Sequence, residues 1–166
     1  EIGGHTGGSA IEFTGDVWGC WIHDCWFGYT GDTAGTNGIF ANTGHDAAYL
    51  LIENCIFGES LTGDGIKIVT NCTRSIIRNN LFMEVAGVSI NLAGNVANVS
   101  VLNNRFTMVA QTAGDAITFG ATATGLCDGN SANYGKSTDT TKYWVSAGTD
   151  VNFGLNYVNG ALLQPT

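Results

Sequence analysis

Residues 21 to 27 read WIHDCWF and set a base, an acid and a thiol side by side between two tryptophans. His23, Asp24 and Cys25 are the residue types of a nucleophilic site, in which an imidazole oriented by a carboxylate activates a thiol. That chemistry needs the imidazole to reach both partners. Successive side chains on a strand leave opposite faces, so His23 and Asp24 are expected to diverge. The expectation is a solvent-facing His23, a Cys25 at a tight corner, and architecture instead of a triad.

Composition narrows the alternatives. The chain has 166 residues, 12% charged and 44% hydrophobic, with 24 Gly and one Pro. Such a sequence is too apolar for a disordered linker and suits short strands joined by tight turns. Net charge is −8 with only six Lys and Arg. No clustered cations are available for nucleic acid, so a nucleic-acid partner is excluded. No apolar run approaches the ~20 residues of a membrane span, so no membrane insertion is expected. Five Cys without a CxxC pair argue against a zinc ribbon and for buried free thiols. The sequence calls for no metal and no cofactor. It begins at Glu1 with no signal-peptide pattern, and a fragment of a longer chain is expected.

The elements that would position these residues come from internal repetition. IHDCWF (22–27), IENCIF (52–57), IRNNLF (77–82) and VLNNRF (101–106) share one pattern: aliphatic, any, Asp or Asn, Cys or Asn, any, Phe. LCDGNS (126–131) reads as a fifth copy without its Phe, and a sixth is expected from Val151. A short strand with alternating apolar residues precedes each copy: SAIEF (9–13), NGIFA (37–41), DGIKI (64–68), AGVSI (86–90) and DAITF (115–119). No helical period runs through the body.

The fold class is therefore all-β: a single-stranded right-handed parallel β-helix, a solenoid of about five to six coils of about 25 residues. The chain reads as one domain over 1–166. Regular coils fill 9–131, and an irregular loop with a terminal coil or cap fills 132–166. Equivalent residues should stack in files. Ile22, Ile52, Ile77, Val101 and Leu126 form an aliphatic file, and Phe27, Phe57, Phe82 and Phe106 an aromatic one. Asp24, Asn54, Asn79, Asn103 and Asp128 form a polar structural ladder, because Asn tolerates left-handed turns and can bond the neighbouring coil. Cys25 and Cys55 share the next file in adjacent coils, within disulfide range.

The NN-containing units with GI strands between them resemble the pectate-lyase-like right-handed parallel β-helix superfamily, over roughly residues 9 to 131. That class holds polysaccharide lyases, hydrolases and the trimeric tailspikes and tail fibres of bacteriophages. WIHD (21–24) is similar to a WiDH motif of pectate lyases with the last two residues exchanged, so the family's residue roles do not transfer.

Three readings of function follow. In the first, the chain is a structural and receptor-binding part of a virion appendage. A contiguous apolar stripe of Trp26, Ile56 and Leu81, widened by Trp18 and Trp21, then serves self-association or sugar stacking. The resemblance implies a homotrimer or other parallel homo-oligomer, a host surface glycan, and a virion or extracellular location. In the second, the chain cleaves polysaccharide. Asp64 and Asp115 stand at the same point before their strands, two coils and hence about 10 Å apart. They are the candidate acid and base, near the ~6.5–9.5 Å separation of inverting glycosidases, although Asp in a Gly turn has an ordinary backbone role. A bacterial adhesin or filament repeat is a third possibility.

Overall fold

The computed structural model describes residues 8–28, 36–58, 60–107, 116–133, 144–146, 150–158 and 161–163. Among them there is no helix, and the strands stack into four parallel ladders, a β-solenoid of about four turns. The first sheet stacks Ile11–Phe13, Ile39–Ala41, Ile66–Ile68, Ile90–Leu92, Ile117–Phe119 and Trp144–Ser146. The second stacks Val17–Trp18, Ala47–Ala48, Cys72–Thr73 and Val96–Ala97. The third runs through Trp21–His23, Leu51–Glu53, Ile76–Arg78, Val99–Leu102, Thr124–Asp128 and Asp150–Phe153. The fourth runs through Trp26–Phe27, Ile56–Phe57, Leu81–Met83, Arg105–Thr107, Ser131–Asn133 and Asn156–Val158, with Ala161–Leu163 added antiparallel. The second sheet has only four strands, so fewer turns are complete than the five to six expected.

Sheet pairing fixes the files. Ile22, Ile52, Ile77 and Val101 stack in register and are buried. Phe27, Phe57, Phe82 and Phe106 form a buried column with ring centroids 4.8, 4.7 and 5.0 Å apart and planes within 15°. Glycine faces the column across the interior. A Cβ on Gly38 would lie 2.7 Å from the Phe57 ring, and one on Gly65 2.9 Å from the Phe82 ring. The G of each GI unit thus leaves room for the F of the same coil.

The fifth copy is displaced by one residue from the sequence-based alignment. Cys127, not Leu126, continues the aliphatic file below Val101, and Leu126 is exposed opposite Ser100. Gly129, not Asp128, follows Asn103, and Ala132 replaces the Phe. The sixth copy is FGLNYV (153–158), because Phe153 pairs with Cys127. In the first sheet the fourth strand is Ile90–Leu92, so Val88 precedes the strand.

The two Asn files have different jobs. Asp24, Asn54, Asn79 and Asn103 are exposed and adopt positive φ of 53 to 56°, with Gly129 at 67°. They are the corner between third and fourth sheets, a conformation that Asn, Asp and Gly accept at low cost. Hydrogen bonding along the axis belongs to the next file, which faces inward and holds Cys25, Cys55, Asn80, Asn104, Asn130 and Asn156. Each Asn Oδ1 accepts the backbone N–H of the residue above: Cys55 on Asn80 (2.9 Å), Asn80 on Asn104 (3.0 Å), Asn104 on Asn130 (2.9 Å) and Asn130 on Asn156 (3.1 Å). Each Nδ2 donates back to a third-sheet carbonyl, at Ile52, Ile77, Val101 and Cys127, over 2.9 to 3.1 Å. Buried amides satisfied this fully tie one coil to the next. The corner is therefore Asp24 and its file, and Cys25 points into the solenoid.

Candidate functional site

Among the described residues, the corner between the second and third sheets carries the most exposed aromatic side chains. Its positive-φ positions are Gly19, Tyr49, Arg74 and Asn98. Tyr49 and Arg74 hold φ of 55° and 50°, where a residue with a Cβ loses about 1–2 kcal/mol relative to the right-handed region. Left-handed residues other than Gly and Asn concentrate where the surroundings fix a side chain for use. The corner aims both side chains outward, and the Arg74 guanidinium lies 5.6 Å from the Tyr49 ring centroid while Nη1 donates to Tyr49 Oη at 2.7 Å. Trp18 lies beside Tyr49, with centroids 6.2 Å apart and planes tilted 37°.

On the neighbouring third-sheet strand, Trp21 and His23 project to the same side, with ring centroids 4.1 Å apart. Trp21 Nε1 donates to Glu53 Oε1 at 2.9 Å, and Arg78 Nε donates to Glu53 Oε2 at 2.7 Å. Glu53 is 7% exposed, so its carboxylate is a shielded bracket that fixes the edge of the indole while His23 stacks on the ring. Trp18 is 65% exposed, Trp21 59% and Tyr49 46%. Three amphipathic rings, two of the six cations of a −8 chain and His23 are therefore carried by this corner and the third-sheet strands that follow it.

His23 and Asp24 do meet, against the alternation argument. His23 Nδ1 lies 2.8 Å from Asp24 Oδ2, both exposed. Asp24 has left strand geometry at the positive-φ corner, and its carboxylate swings back to the outward side. Cys25 does not join them. Its thiol donates to the His23 carbonyl at 3.2 Å and faces inward.

Trp26, Ile56 and Leu81 stack in register on the fourth sheet but are half-buried. The stripe that stands in solvent is instead Trp18 and Trp21, continued on the third sheet by Ile76 and, beyond Ser100, by Leu126. Asp128 stays on the third sheet, where its Oδ1 accepts the N–H groups of Gly129 (2.9 Å) and Leu155 (2.7 Å).

Asp64 is buried and its carboxylate is occupied. Oδ1 accepts Val88 N–H at 2.8 Å, Oδ2 accepts Asn91 Nδ2 at 2.9 Å, and Lys67 Nζ lies 3.6 Å away. A Cβ on Gly87 would lie 2.4 Å from Oδ1, so the next coil also closes over it. Asn37 has the equivalent role in the preceding coil, accepting Asp64 N–H at 2.9 Å. Asp64 thus closes a turn. Asp115 lies outside the described residues, so the proposed acid–base pair is not assembled among them. The described residues include no group of three or more His, Cys, Asp or Glu suited to a metal ion.

Comparison with protein-family models, with curated proteins and with solved structures yields no match to this chain. The parallel solenoid agrees with the coarse content of the β-helix resemblance.

Proposed function

We propose that this chain is the structural and receptor-binding β-helix region of a phage tailspike, tail fibre or comparable virion appendage, and that its aromatic corner contacts host surface polysaccharide. The observation that carries the reading is the exposed Trp18–Tyr49–Arg74 and Trp21–His23 arrangement. Pyranose rings present apolar C–H faces and polar edges. Flat indole and phenol rings match the faces, and the exposed Arg74 and His23 supply polar groups for the edges, while Glu53 holds Trp21 from beneath. Trp18 and Trp21 on one coil and Tyr49 on the next place three rings across two adjacent coils, enough to meet neighbouring units of a polymer. Parallel self-association belongs to the same proposal, through the apolar file Trp26, Ile56 and Leu81 and the exposed Ile76 and Leu126. A lateral stripe along a solenoid is a surface that parallel copies can share.

The test is binding to a panel of purified cell-surface polysaccharides, with light-scattering mass in parallel. Saturable binding lost in Trp18→Ala and Trp21→Ala supports the reading. Binding that survives both substitutions contradicts the corner, and a monomer at all concentrations contradicts the oligomer.

One contact favours a second reading, polysaccharide cleavage. His23 held by Asp24 and stacked on Trp21 is an oriented, exposed imidazole that could take a proton from a bound sugar. Release of unsaturated or reducing ends from the same panel, abolished by His23→Gln, would favour it over pure binding.

A further inference from the structure

The amide ladder stops two coils short of the first described coil. Asn80, Asn104, Asn130 and Asn156 each donate Nδ2 to a carbonyl of the coil above. In the same inward file, the two preceding positions are Cys55 and Cys25. The Cys55 thiol makes only a weak copy of that bond, at 3.8 Å to the Ile22 carbonyl. Its other contact is local, 3.3 Å to its own strand's Glu53 carbonyl. The junction between the first two coils therefore lacks the side-chain tie that every later junction has.

We propose that Cys25 and Cys55 form a redox-responsive cross-link that takes the place of the missing amide tie. The pair is in register, because Trp26 pairs with Ile56 and Ile56 N–H donates to the Cys25 carbonyl at 2.9 Å. Stacked parallel positions lie about 4.8 Å apart, inside the ~4.4–6.8 Å Cα window of a disulfide. Both side chains point to the same interior side, Cys55 within the core and Cys25 packed against it. All five thiols are free in this structure. Cys25 is half-buried and Cys55 buried, so a small oxidant reaches Cys25 first.

A low-molecular-weight disulfide such as oxidised glutathione is the electron acceptor. The Cys25 thiolate attacks one glutathione sulfur and expels a glutathione thiolate, leaving a mixed disulfide. The Cys55 thiol then loses its proton to solvent, and its thiolate attacks the Cys25 sulfur, expelling the second glutathione thiolate. Two protein thiols are oxidised to one disulfide, one glutathione disulfide is reduced to two glutathiones, and the two released protons go to solvent or to those thiolates. Burial, the largest cause, holds the Cys55 thiol high, at about 11, so the closing step is the slow one and speeds up in mild alkali.

The experiment uses the full chain in a Cys20→Ser background, because Cys20 is the other half-buried thiol. The protein is incubated with oxidised glutathione, quenched, alkylated and mapped by mass spectrometry. A Cys25–Cys55 linked peptide is expected, with a rise in Tm of about 5 °C or more on oxidation. The rise should be absent in Cys25→Ser and in Cys55→Ser. Glutathione adducts that persist on Cys25 without closing to Cys55, or a Cys25–Cys55 link that leaves Tm unchanged, would overturn the proposal.

Discussion

Two neighbouring asparagines in VLNNRF offer a direct test of the fold's logic. Asn103 turns the corner and is exposed, whereas Asn104 is buried in the ladder. Asn104→Leu keeps the branched shape of the side chain and removes the amide. It strands Asn80 N–H, one proton of Asn80 Nδ2 and the Ile77 carbonyl, all of which Asn104 now satisfies at 3.0 Å. Buried groups left unpaired cost about 1–3 kcal/mol each. Leucine returns about 1–2 kcal/mol through added apolar burial. The net loss is about 1–8 kcal/mol, a large share of the ~5–15 kcal/mol stability of a domain over most of that range. Asn104→Asp sharpens the test. It keeps the acceptor for Asn80 but sets an anionic oxygen against the Ile77 and Asn130 oxygens, each now 3.0 Å from Nδ2. The folded state then favours the protonated acid, so its pKa lies above the unfolded value near ~3.9. The penalty is absent below that value and grows as pH rises through the folded pKa. Asn103→Gly, at a φ of 53°, should change stability by less than about 1 kcal/mol. Urea denaturation followed by far-UV circular dichroism reads all three. A near-neutral Asn104→Leu, or equal losses at 103 and 104, would refute the division of labour between the two files.

Further outcomes follow from the same geometry. Gly65→Ala should destabilise by about 1–3 kcal/mol in thermal melts, because its Cβ would stand 2.6 Å from the Ser89 carbonyl and 2.9 Å from the Phe82 ring. Phe82→Ala should cost about 3–5 kcal/mol in urea denaturation by opening the stacked column. Burial raises the thiols of Cys55 and Cys72 from 9.0 to about 11 and Cys127 to about 12. Stability from these groups is therefore full below pH 9 and falls as pH rises toward 11–12, since the unfolded chain ionises first. Melts from about pH 8 to 11 should show the decline, shallower in Cys72→Ala. Arg74→Gly should leave stability within about 1 kcal/mol of the parent, since it relieves a left-handed Arg. The same change should weaken polysaccharide binding in a pull-down assay, separating use from folding.

The inward faces are legible in the sequence because stacking demands like over like. Isoleucine at 22, 52 and 77 and phenylalanine at 27, 57, 82 and 106 declare their files by repetition alone. The fifth coil slips by one residue because Leu126 offers a tempting aliphatic residue and the Phe is gone. The better signal is GN at 129–130, a residue able to take positive φ followed by the inward Asn. The His23–Asp24 contact escapes a reading that carries strand alternation through a residue that leaves the strand. The exposed face is only half legible. The repeat centres the outward stripe on Trp26 and adds Trp18 and Trp21 at its margin, but how much of an outward side chain is covered depends on neighbours distant in sequence. The left-handed Tyr49 and Arg74 have no signal in the repeat, since Gly19 and Asn98 occupy equivalent places and suggest an ordinary turn.

The most direct test of the central claim is a tryptophan fluorescence titration with the polysaccharide that binds best. Trp18 and Trp21 are exposed to solvent, and Trp26 is half-buried. The account predicts a saturable change in emission that is lost when Trp18 and Trp21 are replaced by Phe and retained in Trp26→Phe. A signal that follows Trp26, or no saturable change with any surface polysaccharide, would contradict it.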